Sequence, residues 1–321
     1  MRAIALLLSV MLWMAGCAQN RAAQVNGLSK PVAVQQAPWS YQGTAGHVLT
    51  TDHYRIYTTV SPDETLFETL PQLMEGAYTQ YRRLAGNVVH NGKPLDCYVF
   101  GQRSQWVEFT RRQTGPRASL YLQISVGAYA IGDVFVAYDI GDYRTLYTAA
   151  HEGWHQFASR YFKGELPRFL EEGMATQFEN VDAFHGLPKW KLETNSNRAQ
   201  GLRRSIEGKF LFSLAELMTL HAGQVVHRPG DRIDAFYSQC WAFIRFLRDG
   251  EQGMYRPAFD RLLADVAAGT VWGLTDGRGW TADNTVTILT HYLGAPLDQL
   301  DREFIAYCNQ IAFRDYMQQW Q

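Results

Sequence analysis

The segment that most constrains this chain is an amphipathic helix predicted over residues 145–162, because it carries two histidines away from its apolar stripe. At about 100° per residue, the apolar side chains form one stripe about 80° wide. The stripe consists of Leu146, Ala150, Trp154, Phe157 and Tyr161. His151 and His155 lie on the opposite face. We therefore expect the helix to pack one face on a core and to turn both imidazoles toward a cleft or solvent.

The five residues from His151 to His155 have the spacing H-E-x-x-H. Residues four apart lie about 40° apart around a helix, so two imidazoles can bind one metal ion. Glu152, between them, would face a water molecule at that ion and is the candidate general base. A solvent-exposed histidine pair without a metal is the alternative.

A third ligand is needed, because catalytic zinc sites hold three protein side chains and leave one position open. A second amphipathic helix is predicted over residues 167–180, with Pro167 in its first turn. Its apolar residues Leu170, Met174, Phe178 and Val181 should pack inward, while Glu172 and Glu179 lie on the opposite face. Gly173 and Ala175 are small enough to let two helices approach closely.

Together the two segments resemble the gluzincin superfamily of zinc metallopeptidases. Its aminopeptidases carry a Trp-Leu-x-Glu-Gly-x-Ala segment, which is similar to residues 169–175 here and implies that Glu172, not Glu171, is the third ligand. The longer run from Tyr143 to Ala175 resembles bacterial peptidase-MA-like proteins, and the similarity extends over about residues 54–268. The resemblance implies a zincin (thermolysin-like) fold, zinc as cofactor and a peptide or protein substrate.

Three further residues are candidates at or near this site, and of these Tyr237 is implied by the resemblance. Where the family has a carboxylate one turn past the third ligand, this chain has Thr176, so Glu179 is the candidate that orients a histidine ligand, with a solvated surface glutamate as the alternative. Tyr237 is the candidate donor to the developing oxyanion, with a core aromatic residue as the alternative. His185 is a weaker competitor of Glu172 for the third ligand position.

The remaining pattern predicts an α+β fold, in which a mixed sheet lobe (residues 47–144) precedes a mainly helical lobe (residues 145–321), with the active site between them. Residues 134–138 are predicted as an edge strand that could pair with a peptide, or else as a buried central strand. The predicted strands are 54–60, 95–100, 121–126 and 134–138. The predicted helices are 61–84, 104–112, 145–162, 167–180, 214–221, 234–249, 257–268 and 296–312.

The first residues have the pattern of a secretion signal: Arg2, then an apolar run too short to span a bilayer. Residues 14–17, Met-Ala-Gly-Cys, resemble a bacterial lipobox, which implies a signal peptide over residues 1–16 and lipidation of Cys17. Residues 17–46 would then be a flexible tether at the outer membrane, facing the periplasm. A soluble secreted protein is the alternative. One disulfide among Cys97, Cys240 and Cys308 is possible, and the sequence does not select the pair.

A formal net charge of -1, without runs of one sign, argues against nucleic acid as a partner. Two hypotheses of different classes result. The first is a zinc peptidase of the cell envelope; the second is a non-catalytic envelope lipoprotein that uses a peptidase-like scaffold for binding or assembly. Glu152 favours the first, because a binding module has no chemical need for a base between two histidines.

Overall fold

The computed structural model describes residues 27–86, 92–124, 127–225 and 232–317. It has the α+β architecture that the sequence predicts, with a six-stranded mixed sheet in the order β1-β2-β3-β4-β6-β5 and a separate two-stranded sheet. The strands are β1 Gln35–Tyr41, β2 Thr44–Thr50, β3 Tyr54–Thr58, β4 Leu95–Phe100, β5 Ala128–Ile131, β6 Val134–Tyr138, β7 Val181–Asp182 and β8 Lys189–Trp190.

Twelve α-helices are present in the described residues. They are α1 Thr65–Leu84, α2 Arg103–Thr114, α3 Ala118–Tyr121, α4 Asp142–Tyr161, α5 Arg168–Thr176, α6 Ser196–Glu207, α7 Leu214–Thr219, α8 Ala222–Val225, α9 Arg232–Asp249, α10 Arg256–Ala268, α11 Ala282–Leu293 and α12 Leu297–Met317. None of the described helices is long and apolar enough to cross a membrane. Cys97, Cys240 and Cys308 are buried and free, so no disulfide joins them; Cys17 lies outside the described residues.

The folded body begins earlier than predicted, because the tether expected over residues 17–46 includes strand β1 and part of β2. Gln42 and Gly43 form a two-residue turn with φ of 52° and 78°. A turn with two successive positive φ values has the same twist as the strands of a hairpin, and glycine adopts a positive φ without steric cost. Trp39, opposite Gly46 in the register, then stacks on Tyr41.

Around β5 the structure corrects one predicted strand and decides between the two alternatives for another. Residues 121–126 were expected as a strand, but Tyr121 ends helix α3 and packs on an aromatic cluster, and residues 122–124 form no strand. Residues 125–126 lie outside the described residues, and the strand that the structure has here is β5, after Gly127. Residues 134–138 do form β6, yet β6 pairs with β4 on one side and β5 on the other. Strand β6 is therefore a central strand, as the alternative prediction states. Because Gly132 turns the chain back at φ 56°, β5 becomes the sheet edge.

Helices α6 and α11 were not predicted. Helix α6 has few apolar residues, so its hydrophobic period is weak. Cap residues were the available signal: Asn195 accepts from the Arg198 backbone N–H at 3.2 Å, and Thr281 caps α11 in the same way.

Glycines bring α4 and α5 close to their neighbours. A Cβ on Gly153 would lie 2.6 Å from the Tyr81 hydroxyl oxygen, and that hydroxyl donates to the Ala150 carbonyl at 2.5 Å, which joins α1 to α4. A Cβ on Gly173 would lie 2.4 Å from the Cys240 carbonyl oxygen. The close approach of α5 to α9 through Gly173 is therefore as the sequence predicted.

Gly173→Ala should lower the free energy of unfolding by about 1–3 kcal/mol, because the added methyl meets backbone that cannot move without shifting α9. The matched control is Gly277→Ala, where a Cβ meets nothing within 4 Å and φ is not positive. Urea denaturation of both variants measures the difference. Equal midpoints for the two variants would contradict this account of the α5–α9 contact.

Candidate metal centre

Three side chains from α4 and α5 converge on one point. The Nε2 atoms of His151 and His155 lie 3.3 Å apart, and the Glu172 Oε2 atom lies 3.3 Å from the first and 3.5 Å from the second. Among the described residues, these three form the one group of His, Cys, Asp and Glu whose ligand atoms could hold a metal ion together. The geometry thus brings together the three residues that the sequence predicted as ligands.

The dimensions of this triangle fit zinc. A tetrahedral ion bonded at about 2.0–2.1 Å to nitrogen and oxygen holds its ligand atoms about 3.3–3.4 Å apart. Glu172 Oε2 is buried and makes no hydrogen bond of normal geometry. A buried carboxylate oxygen without a donor is costly, so a cation is the partner that this atom lacks. The donor set of two imidazoles and one carboxylate is one that zinc accepts.

Glu179 lies behind His151, as expected of a residue that orients a ligand. Its Oε1 atom is 2.9 Å from His151 Nδ1, and only 8% of the residue is exposed, so the alternative of a solvated glutamate is wrong. Because an ionised carboxylate only accepts hydrogen bonds, Nδ1 carries the proton that is donated to it. That tautomer directs the Nε2 lone pair of His151 toward Glu172 and His155.

Arg198 and Asn195, which sequence reasoning missed, hold Glu179 in place. Arg198 donates to the two carboxylate oxygens of Glu179 at 2.8 and 2.6 Å, and the Asn195 amide donates at 3.1 Å. Burial opposes ionisation of Glu179, but Arg198 and His151 outweigh it and lower its pKa to about 2. Asn195 is the N-cap of helix α6, which the sequence did not predict, and Arg198 lies in the first turn of that helix.

Glu171 serves His155 as Glu179 serves His151. Its Oε1 atom lies 3.3 Å from His155 Nδ1, and Arg168 donates to its other oxygen at 2.5 Å. Glu171 thus faces the outer nitrogen of His155, whereas Glu172 faces the inner nitrogens of both rings. The adjacent glutamates divide these tasks because they point about 100° apart around α5.

Carboxylates give this centre a preference for positive charge. Burial disfavours the charged form of His151, but the neighbouring carboxylates of Glu172 and Glu179 outweigh it and raise the pKa of His151 to about 9. For Glu172, burial is likewise outweighed by the two imidazoles, which hold its pKa well below the usual range. A divalent cation would meet the same demand for positive charge.

Glu152 lies at the wall of the cleft, next to the sheet edge. Burial raises its pKa above the usual value, against the opposing effect of the two histidines and of a hydrogen bond from the Ala130 backbone in β5. A carboxyl with a raised pKa is better matched to accepting and returning a proton near neutral pH. Its position and environment fit the predicted role of general base.

Tyr237 of α9 lies on the other side of the histidines. Its ring centroid is 6.2 Å from that of His151, and the Arg198 guanidinium lies over its ring at 5.1 Å. The nearby Glu172 carboxylate, and then burial, raise the pKa of Tyr237 well above its usual value, so the phenol keeps its proton as a donor. Tyr237 borders the cleft, which is where the prediction requires it.

Two residues lie apart from the site. Thr176 is fully buried and donates to the Gly173 carbonyl within α5 at 2.8 Å, so it contacts neither histidine. The His185 side chain is 85% exposed and pairs with Asp182 at 2.9 Å. Glu172 therefore has the position that a third ligand needs, and His185 does not.

The three ligands open into a cleft of about 910 Å³ that runs along the sheet edge. Strand β5 forms one wall, and the chain between α4 and α5, with α5 itself, forms the other. Comparison with protein-family models, with curated proteins and with solved structures found no match.

Glu179→Gln should weaken zinc binding by about 10- to 100-fold, because an amide is a poorer acceptor for the His151 proton. Chelator competition measures the dissociation constant, after circular dichroism has verified that the variant is folded. Exposed Glu193, replaced by Gln, is the matched control and should bind zinc as the wild type does. An unchanged constant in folded Glu179→Gln would contradict the orienting role.

Proposed function

We propose that this chain is a zinc-dependent peptidase of the gluzincin type, with a thermolysin-like zincin fold. The observation that carries the proposal is the triangle of His151, His155 and Glu172 atoms, with side lengths of 3.3 to 3.5 Å, beside the buried Glu152. These distances suit three ligands of one zinc ion, which His151, His155 and Glu172 would hold at the wall of the cleft.

Zinc held there would supply Lewis-acid polarisation of the scissile carbonyl and would lower the pKa of the attacking water. Glu152 accepts the proton of that water and donates it to the leaving amine, in line with its raised pKa. The Tyr237 hydroxyl would donate a hydrogen bond to the substrate carbonyl oxygen, which gains negative charge in the transition state. Glu179 and Glu171 keep the two imidazoles oriented throughout.

Strand β5 suits an extended peptide substrate. It pairs with β6 on one side only, and it borders the cleft over its whole length. Apart from the Ala130 N–H, the edge away from β6 would offer backbone N–H and C=O groups to a substrate main chain as an additional strand. The Ala130 N–H, which hydrogen-bonds Glu152, lies in this strand, so substrate and base would be aligned by one element.

The place of action in this proposal is the bacterial cell envelope. Residues 1–16 would be removed as a signal peptide, and Cys17 would carry the lipid that holds the enzyme at the outer membrane, facing the periplasm. The substrate would be a peptide or protein of that compartment. A secreted protein without lipid remains the alternative, and the mass of the mature N-terminus separates the two.

Glu152→Gln tests the proposal. We expect zinc in both wild type and variant, but cleavage of a peptide library by wild type alone, because Gln cannot accept the proton. Metal content is measured by mass spectrometry and cleavage by appearance of new termini, with Glu193→Gln as the active control. Zinc in wild type without cleavage would favour the binding lipoprotein instead. Wild type without zinc after metal-replete expression would reject the metal centre.

Tyr237→Phe should lower kcat by about 100-fold while zinc content stays unchanged, since one oxyanion donor is lost and no metal ligand is removed. Steady-state kinetics on a peptide cleaved by the wild type give kcat and KM separately. The conservative Tyr255→Phe, at a tyrosine that donates to Glu303 and does not line the cleft, serves as the control. A wild-type kcat in Tyr237→Phe would mean that Tyr237 contributes only packing and donates no hydrogen bond in the reaction.

A further inference from the structure

Two exposed aromatic side chains form a pair at one end of α4. Tyr143 in its first turn is 51% exposed and Phe184 is 41% exposed, and their rings stack with centroids 6.5 Å apart. The other large exposed apolar residues described in the structure are single: Val34, Leu120, Met254 and Phe313. Phe184 lies in the loop that connects β7 to β8, so the pair joins this hairpin to the start of α4.

The N-terminal chain enters the body beside this pair. Gly27, the first described residue, forms a β-bridge with Lys189 of β8, the strand that completes the hairpin carrying Phe184. Cys17 precedes Gly27 by ten residues. Ten residues span at most about 33–36 Å. An acyl chain on Cys17 would therefore keep the hairpin within that distance of the lipid and would turn this face toward it.

The charges around the pair suit phospholipid headgroups. Arg144 next to Tyr143, and Lys189 and Lys191 on and after β8, are exposed. Two acidic residues lie near the pair: Asp142, which precedes Tyr143 and is partly buried, and Asp182, which accepts a hydrogen bond from His185 at 2.9 Å. Aromatic rings beside long cationic side chains are typical of surfaces at the headgroup level, where the rings enter the interface and the cations reach the phosphates.

We propose that the surface formed by Tyr143, Phe184 and Lys189, here called the docking face, lies on the phospholipid surface that carries the acylated Cys17. The proposal rests on that predicted acylation. It commits to lipid as the occupant because the tether ends at this surface. Contact of the docking face with a second copy of the chain is an outcome that the test separates.

The docking face would also define the substrate class of the proposed peptidase. Tyr147, whose ring centroid lies 5.8 Å from that of Tyr143 in a tilted contact, lines the cleft. His151 follows Tyr143 by eight residues of the same helix, which is about 12 Å along its axis. The metal centre would then lie close above the lipid, within reach of the first residues of a polypeptide that leaves the membrane. Substrates would be membrane-attached chains, cleaved near their attachment.

Membrane depth of a fluorescent label tests the docking. The full-length chain is purified from membranes, its acylation is verified by mass, and it is reconstituted in phosphatidylethanolamine and phosphatidylglycerol vesicles. An environment-sensitive dye is attached at Phe184→Cys or, as control, at Met254→Cys, which is 58% exposed and lies beyond the end of α9 opposite Tyr237. The native Cys97, Cys240 and Cys308 are buried, so they escape labelling.

We expect a blue shift and quenching by nitroxide lipid at position 184 and neither effect at position 254. Equal signals at the two positions, or a chain without an acyl group, would overturn the proposal. So would a blue shift at 184 that depends on protein concentration in detergent without vesicles, since that indicates self-association. The same label placed in Glu152→Gln should behave identically, so this result is independent of catalysis.

Cleavage of one peptide library in two forms tests the substrate class. The library is bound to the vesicles through an N-terminal acyl chain or left free in solution. Wild type should cleave the bound form at least about tenfold faster, because both partners share one surface. Tyr143→Ser with Phe184→Ser should lose this gain and keep the rate on the free form. Equal wild-type rates would overturn the substrate class. No cleavage of either form would reject the peptidase, while the label still decides docking.

Discussion

The buried charged side chains at the candidate metal centre fix the relative positions of helices α4, α5 and α6. The side chains of Glu172, Glu179 and Arg198 are largely buried beside two histidines, and removing an ion from water costs several kcal/mol unless it is paired. The pairing needs three elements at once: α4 for the histidines, α5 and the turn after it for the glutamates, and α6 for the arginine. None of these helices can shift without leaving a buried charge unpaired.

Close packing sets the dimensions that this charge network requires. Gly153 lets Tyr81 of α1 reach the backbone of α4, and Gly173 lets α5 lie against the backbone of α9. Ligand atoms 3.3 to 3.5 Å apart tolerate little error in helix position. The glycines therefore act on the metal centre through packing, and their place inside the two ligand helices has a geometric reason.

The cleft joins this rigid centre to the more open parts of the chain. On one side is β5, a short edge strand whose backbone hydrogen-bonds to Glu152 at Ala130. At the start of α4, Tyr143 and Phe184 extend into solvent near the point where the N-terminal chain enters. In the proposed function, one helix thus links the lipid surface, the base and the metal ligands.

The sequence by itself determined the local parts of the candidate site: the helix that carries His151 and His155, Glu152 between them, and Glu172 on the next helix. These follow from 3.6-residue periodicity and from spacing within a few turns, which are local properties. It also left Glu179 and Tyr237 open between a role at the site and a plain structural one. Tertiary structure alone placed Arg198 beside Glu179, made β5 the edge instead of β6, and drew residues 35–46 into the sheet. The reason is that side-chain partners and strand neighbours depend on contacts between distant segments, which no local pattern of residues encodes.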